Sequence, residues 1–394
     1  GQRRPDLDTE LLEFMGQLLV LAHPAETEFA LRFGQLSSPV MAKGVEDTAF
    51  YRYHRLISLN EVGGDPGVFG RPVERFHAAC ASTARRWPKT MLTLSTHDTK
   101  RSADVRARIN LLSEIPEAWK ETVRRWAIIN ERHRADGLPD RNAEYLLYQT
   151  LVGAWPIGAE RAAAFMEKAA REAKAHTSWT APVPAYDEAL AAFVRGILND
   201  DVFIADLEGF LAAHSLVELG RVNALAQTAL LLTCPGVPDL YQGSELWDLS
   251  LVDPDNRRPV DYERRRRLLD ELEDAEPEDA LRRGDEGAPK LLLVHRLLNH
   301  RRRCPDAYSS SAYEPLVVIG AKARHAVAFA RGELAVVVPR LVVGLAGDWS
   351  DTIVVLPEGQ WTELVTETVF DGGKVAIADL LVRFPVAVLA RGGM

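Results

Sequence analysis

Met91-Leu92-Thr93-Leu94-Ser95-Thr96-His97-Asp98-Thr99-Lys100-Arg101 is the stretch that decides the fold. It begins short, apolar and β-favouring, and runs straight into the densest polar cluster of the chain. Upstream, residues 71–87 carry apolar side chains at i, i+3, i+4 and end at Trp87-Pro88, where proline stops a helix. A helix followed by a short buried strand and then polar residues is one α/β repeat, with its site at the strand's C-terminal end. A second transition of this kind lies further on. Residues 222–233 read as an apolar helix, Cys234-Pro235-Gly236 stops it, and residues 237–241 form a short strand closed by Gln242-Gly243.

Outward from these transitions, apolar periodicity sorts the rest. Residues 6–35 read as helix, with Leu11, Leu12, Met15, Leu18 and Leu19 on one face. From 102 to 232 nearly everything is helical in pattern, as in 119–134 and 144–151, with breaks at Gly137-Leu138-Pro139 and around 177–184. Beyond about 312 the period changes to two. Residues 326–330, 334–338, 352–356 and 386–390 are short β runs between turn residues, predicting a small antiparallel domain, a β-sandwich. The acidic run 271–279 and the basic runs 264–267 and 301–303 read as solvated helix faces. The expected class is α/β plus all-β.

Composition narrows the function. A chain of 394 residues, 47% of them hydrophobic, can bury two or three cores. Its 47 Lys and Arg against 56 Asp and Glu leave a charge of -9, which argues against nucleic acid as a partner. No apolar stretch approaches the roughly 18 residues of a membrane span, so no membrane is expected. Three cysteines, Cys80, Cys234 and Cys304, stand far apart and predict a reducing, cytoplasmic setting rather than a disulfide framework or a zinc cluster. The chain starts at Gly1 with no leader pattern, and the expectation is a piece of a longer protein.

The 96–101 cluster suits a polyhydroxylated ligand. A carboxylate accepts from vicinal hydroxyls, an imidazole adds a third contact, and Lys or Arg orders the carboxylate. The competing reading makes Asp98 a helix cap and His97 a surface residue. A metal phosphohydrolase would need further ligands, and only His77 lies nearby. Lys43-Gly44-Val45-Glu46-Asp47-Thr48-Ala49-Phe50-Tyr51-Arg52-Tyr53 mixes acids, cations and aromatics. Tyr51 and Tyr53 offer flat faces to sugar rings and Lys43 a hydroxyl contact; alternatively Phe50 and Tyr53 are core and Glu46 is surface. Gly63-Gly64-Asp65-Pro66-Gly67 lacks the ending of a phosphate-binding loop, and there is no Gly-x-Ser-x-Gly elbow. No metal or cofactor is expected.

Taken in order, these segments resemble the α-amylase superfamily, glycoside hydrolase family 13. The strand ending in His97-Asp98 looks like its seventh barrel strand, and Gly236-x-Pro238-x-x-Tyr241-x-Gly243-x-Glu245 like its eighth. Within the superfamily, residues 43–53, 95–108 and 241–261, with the long helical region between, look like the maltooligosyltrehalose synthase family. That resemblance implies a partial (β/α)8 barrel carrying the last strands, a large helical insertion and a C-terminal β domain. The boundaries would be 1–101 for barrel, 102–221 for insertion, 222–311 for last strand, loop and helices, and 312–394 for the β domain.

It also implies an activity. The family isomerises the reducing-end α-1,4 bond of a maltooligosaccharide, an α-1,4-glucan, to α,α-1,1, with retention. Asp98 would be the third catalytic carboxylate, with His97, Lys100, Arg101, Lys43, Tyr51 and Tyr53 as substrate-binding residues. The superfamily's nucleophile lies in an Arg-x-Asp segment and its acid in a Glu segment, both at earlier strands, and the expectation is that neither motif occurs in this chain. Arg106 and Arg108 have no Asp two residues on, and Gly332-Glu333 sits in the β region. The missing N-terminal part is therefore an expected partner, without which the chain should be inactive. Two other readings stay open: another α-amylase superfamily hydrolase, and a non-catalytic glucan-binding or interaction module.

Overall fold

A computed structural model describes residues 8–22, 27–273, 275–309 and 312–392. Two helices, α1 (Thr9–Leu19) and α2 (Thr27–Met41), stand where one was expected over 6–35; residues 6, 7 and 23–26 of that expectation lie outside the described residues. Then α3 (Val73–Arg86) stops before Pro88 and leads into β1 (Met91–Thr93). Seven helices follow: α4 (Ala103–Ile109), α5 (Pro116–Ile129), α6 (Arg141–Ala154), α7 (Ala159–Ala173), α8 (Pro184–Leu198), α9 (Asp201–Ala213) and α10 (Leu216–Thr233). Proline occupies the first turn of α5 and of α8, and Asp140 caps α6 through the amides of Asn142 and Ala143.

After α10 comes β2 (Val237–Asp239), two residues shorter than the expected strand. It pairs parallel with β1, Met91 opposite Val237 and Thr93 opposite Asp239. Gly236 makes this possible. At φ +136° its hypothetical Cβ would sit 2.8 Å from the Thr90 carbonyl and 2.7 Å from the Leu92 side chain. Four helices follow, α11 (Tyr262–Glu271), α12 (Pro277–Arg282), α13 (Ala288–Arg303) and α14 (Pro305–Ser309). The 301–303 run is not wholly a solvated face. Arg301 turns inward and donates to the Leu232 and Gly236 carbonyls, both at 3.1 Å, tying α13 to the entry of β2.

The C-terminal strands are β3 (Glu314–Pro315), β4 (Val318–Ile319), β5 (Ala326–Arg331), β6 (Leu334–Pro339), β7 (Ile353–Glu363), β8 (Val369–Ala376) and β9 (Ala387–Arg391). They are antiparallel as expected but form one sheet, not a sandwich. The register of β7 shifts between Leu356 and Gln360, so its first half pairs with β4 and its second half with β9. Residues 314–319 begin against β5 and end against β7, and the sheet curls back on itself.

Strand alternation then serves two cores. Val327, Phe329, Val336, Val338 and Val388 face α10 and α13, while Ala326, Ala328, Ala335, Val337 and Leu389 line the inside of the curl around Trp361. Alanine on the inner face leaves room for the tight curvature. A third core fills the helical region from α4 to α10 and takes in Tyr51, Leu56, Ile57, Leu251 and Val252. Trp126 is fully buried there, edge-on to Trp119, Tyr148, Phe203 and Phe210 at centroid distances of 5.2–5.7 Å.

Candidate active site

The polar turn after β1 is closed by its own hydroxyls. Thr96 Oγ1 accepts from the amides of Asp98 (3.1 Å) and Thr99 (3.2 Å), while Thr99 Oγ1 donates to the Thr96 carbonyl at 2.9 Å. This projects His97 and Asp98 outward and turns residues 99–102 inward. Asp98 is 51% exposed, and it caps nothing: the N-cap of α4 is Ser102, whose hydroxyl accepts from the Val105 amide. Its charged neighbour is Lys100, whose Nζ lies 3.8 Å from Asp98 Oδ1.

Lys100 is held from the other side. Its Nζ donates to Asp47 Oδ1 at 2.8 Å, and Asp47 Oδ2 takes Lys43 Nζ at 2.5 Å. The single π-helical turn Ala42–Glu46 and the 3-10 turn Ala49–Tyr51 place Asp47 there. Lys43, Asp47, Lys100 and Asp98 thus form one row of alternating charge. Burial pushes the Asp47 carboxyl up, but hydrogen bonds from Lys100 and Lys43 outweigh it and hold the group below its ordinary range. The Lys43 ammonium is raised, first by its hydrogen bond to Asp47.

The turn also has a floor. Glu61 Oε1 accepts from the amides of Lys100 (2.8 Å) and Val62 (2.9 Å), Oε2 from that of Arg101 (3.3 Å), and Arg106 completes an ion pair at 3.4 Å. Arg106 reaches on to the Leu94 carbonyl. Neither Asp47 nor Glu61 is identified from the sequence as a site residue; their roles exist only once the 43–61 segment lies against the turn.

Two residues expected at the sugar face inward instead. Tyr51 is 3% exposed and, with His54, lines a cavity of about 40 Å³ beside Asp140, Met166 and Tyr186. Burial drives its phenol well above the usual value. Arg101 is fully buried, donating to the Ile57 (2.8 Å) and Asn60 (3.4 Å) carbonyls. Arg101 thereby ties the turn to residues 57–60 from behind. Tyr53, 44% exposed, keeps a free face, and Phe50 and Glu46 are buried, so the alternative reading holds for Phe50 alone. His97, Asp98, Lys43 and Tyr53 are exposed, and Lys100 is buried beside Asp98.

The Arg-x-Asp spacing does occur elsewhere, at Arg134-Ala135-Asp136 and Arg283-Gly284-Asp285. Those triplets lie in connections between helices, the latter with Asp285 paired to Arg221, and neither follows a strand. Arg4-Pro5-Asp6 lies outside the described residues. Among the described residues no cluster of His, Cys, Asp or Glu is arranged to hold a metal ion, and no helix is long and apolar enough to cross a membrane.

Comparison with known proteins gives this geometry its context. No family model matches the chain. It is 42% identical over 384 residues to a putative maltooligosyl trehalose synthase of Mycobacterium tuberculosis, covering 95% of this chain and 47% of that one. The solved structure of maltooligosyltrehalose synthase from Arthrobacter ramosus superposes with a TM-score of 0.84 at 42% identity, over 96% of this chain and 48% of that one. A hypothetical maltooligosyl trehalose synthase of Sulfolobus tokodaii superposes at 0.74 with 33% identity, over 89% and 46%. The chain spans about half the length of the curated relatives it matches. Over nearly all of its own length the chain is homologous to one half of these maltooligosyltrehalose synthases.

Proposed function

We propose that the chain is the C-terminal part of an intramolecular transglucosylase that turns the reducing-end α-1,4 bond of a maltooligosaccharide into an α,α-1,1 bond, a step of trehalose biosynthesis. One observation carries the reading beyond homology. The His97-Asp98 turn sits at the C-terminal end of a parallel strand pair whose apolar face is uncovered, Met91 being 71% and Val237 47% exposed. In a (β/α)8 barrel those positions point to the interior, while Leu92 and Pro238 point to the helices. We read β1 and β2 as the seventh and eighth strands of a barrel completed by the N-terminal part of the same enzyme. In this reading residues 1–101 and 222–311 are barrel, 102–221 the insertion and 312–394 the C-terminal β domain. Cys80 and Cys234, expected to stand apart, bring their sulfurs to 4.0 Å; in this reading they stay thiols in a reducing cytoplasm.

The chemistry divides accordingly. A retaining mechanism needs a nucleophilic carboxylate and an acid about 5–5.5 Å apart, and we assign both to the N-terminal part. The nucleophile forms a glycosyl-enzyme, the acid protonates the leaving oxygen, and the released glucose attacks in turn through its C1 hydroxyl. Asp98 accepts from vicinal hydroxyls of the sugar being transferred, and its charge stabilises the ring as positive charge develops. His97 contacts a neighbouring hydroxyl, Lys100 fixes the Asp98 carboxylate, and Lys43 and Tyr53 meet the sugar at the rim.

Asp98→Asn in the assembled enzyme tests this. A contact that strengthens in the transition state shows in kcat, so a loss of about 10²–10³-fold is expected with KM little changed and the melting temperature unaltered. Normal kcat would remove Asp98 from the reacting sugar.

A further inference from the structure

The loop that follows β2 reaches back over the polar turn: Leu251 bridges Arg101, the Ser250 carbonyl accepts from the Ser102 amide, and Asn256 meets the outer carbonyls of the turn. Asn256 Nδ2 lies 3.0 Å from the His97 carbonyl and 3.3 Å from that of Thr96. The amide orientation is dictated by chemistry, since the opposite flip would set Oδ1 against two carbonyl oxygens. Its Oδ1 has no hydrogen-bond partner among the described residues. The Asn256 carbonyl is held by Tyr241 Oη at 3.2 Å.

The residues beside Asn256 are fastened to the helical insertion. Arg161 takes Asp255 in a bidentate grip, with Nε to Oδ1 at 2.9 Å and Nη2 to Oδ2 at 2.8 Å. Lys168 Nζ donates to both the carboxylate and the carbonyl of Asp253 at 2.7 Å. Both cations stand on α7, whose other face buries Ala162, Phe165, Met166 and Ala169 in the core built around Trp126. A rigid aromatic core, a helix, a pinned loop and one amide therefore connect in series to the turn that bears Asp98.

We propose that Asn256 is a positioning residue which clamps the His97-Asp98 turn, and that the insertion serves the site by anchoring this clamp through Arg161 and Lys168. The structural half stands by itself; the kinetic half rests on the reading of Asp98 given above. A turn held at its outer carbonyls keeps the carboxylate in place without touching the sugar, so its loss should appear in turnover rather than in affinity.

The test compares Asn256→Ala and Asn256→Asp. Aspartate fills the same space but has no hydrogen to give to either carbonyl. A clamp is therefore lost in both variants, whereas a space-filling role is rescued by aspartate. On the chain itself, amide exchange of residues 94–101 should rise about tenfold in both, with exchange of α5 and α6 unchanged as the folding control. Arg161→Ala should raise the same exchange by about threefold. In the enzyme assembled with its N-terminal part, kcat of Asn256→Asp should fall about tenfold, with KM within about twofold. Wild-type exchange in Asn256→Asp would overturn the clamp. Raised exchange with unchanged kcat would overturn its role in positioning. If the assembled wild-type enzyme shows no turnover, the proposed function fails, and the exchange result still decides the clamp.

Discussion

The helical insertion and the strand pair treat apolar surface in opposite ways. In the insertion, Trp126 has no exposure at all, four aromatic rings meet it edge-on, and its indole N–H finds Asp206 at 2.7 Å. On the strand pair and the helices before it, Leu11, Phe14, Leu31, Leu36, Val40, Met91 and Val237 lie open. Exposed single apolar residues are ordinary, but a run of them along two helices and one strand face marks an interaction surface. The helical region has a closed core, to which Ile57, Leu251 and Val252 also contribute, while the strand pair before the Asp98 turn leaves Met91 and Val237 exposed. A site built on an open region needs stiffening from elsewhere, and the contacts of Asp47, Glu61 and Asn256 supply it from three separate segments.

The first way to break this contrast is Trp126→Ala. Removing a fully buried indole costs about 3–5 kcal/mol, partly as a cavity the surrounding rings cannot fill. Chemical denaturation should show a loss of that size; a loss under about 1 kcal/mol would mean the insertion is not the rigid element.

His54 gives the next largest effect. Burial holds its imidazole down at about 4, with the Asn142 carbonyl opposing and the Arg101 charge adding. In the unfolded chain it returns to about 6.5. Between those values the unfolded chain binds a proton that the folded chain does not, so stability falls as pH falls through this window. The drop is on the order of 3 kcal/mol across the window. His54→Asn should flatten that part of the curve in denaturation experiments from pH 7 to pH 4; an unchanged slope would assign it to other groups.

The smallest effect on stability belongs to Met91→Asp. A substitution at an exposed position away from special contacts changes stability by about 0.5 kcal/mol or less. The same change should prevent association with the N-terminal part, because it places a carboxylate on the face to be covered. Normal association, read by analytical ultracentrifugation, would show that this face stays open in the enzyme.

What the sequence made legible follows from local physics. Trp87-Pro88 and Cys234-Pro235-Gly236 end helices by covalent geometry, and both strands stand where those stops imply. The change of period after 312 identified antiparallel strands, because alternation is a property of each strand alone. It did not identify the single curled sheet, which depends on the Leu356/Gln360 register shift and on β4 and β9 sharing one edge of β7. Glu363 shows the same limit: a carboxylate in a strand reads as surface, yet it is buried and accepts the Val365, Thr366 and Val388 amides. In the site, the turn bearing His97 and Asp98 was legible from its density of polar groups. Tyr51 and Tyr53 were not separable, since only packing decides which ring of a short turn faces inward. Asp47, Glu61 and Asn256 act on the turn from 51, 37 and 158 residues away from Asp98 in sequence, where no local pattern reports them.

The central claim is that this chain holds one part of a catalytic site whose remainder lies on the N-terminal part of the same enzyme. The most direct measurement mixes the purified chain with that part and follows reducing ends of maltopentaose. Neither part alone should turn over, and the mixture should consume reducing ends without equivalent release of glucose. Steady conversion by the chain alone, or a mixture that associates and stays inactive, would contradict the account.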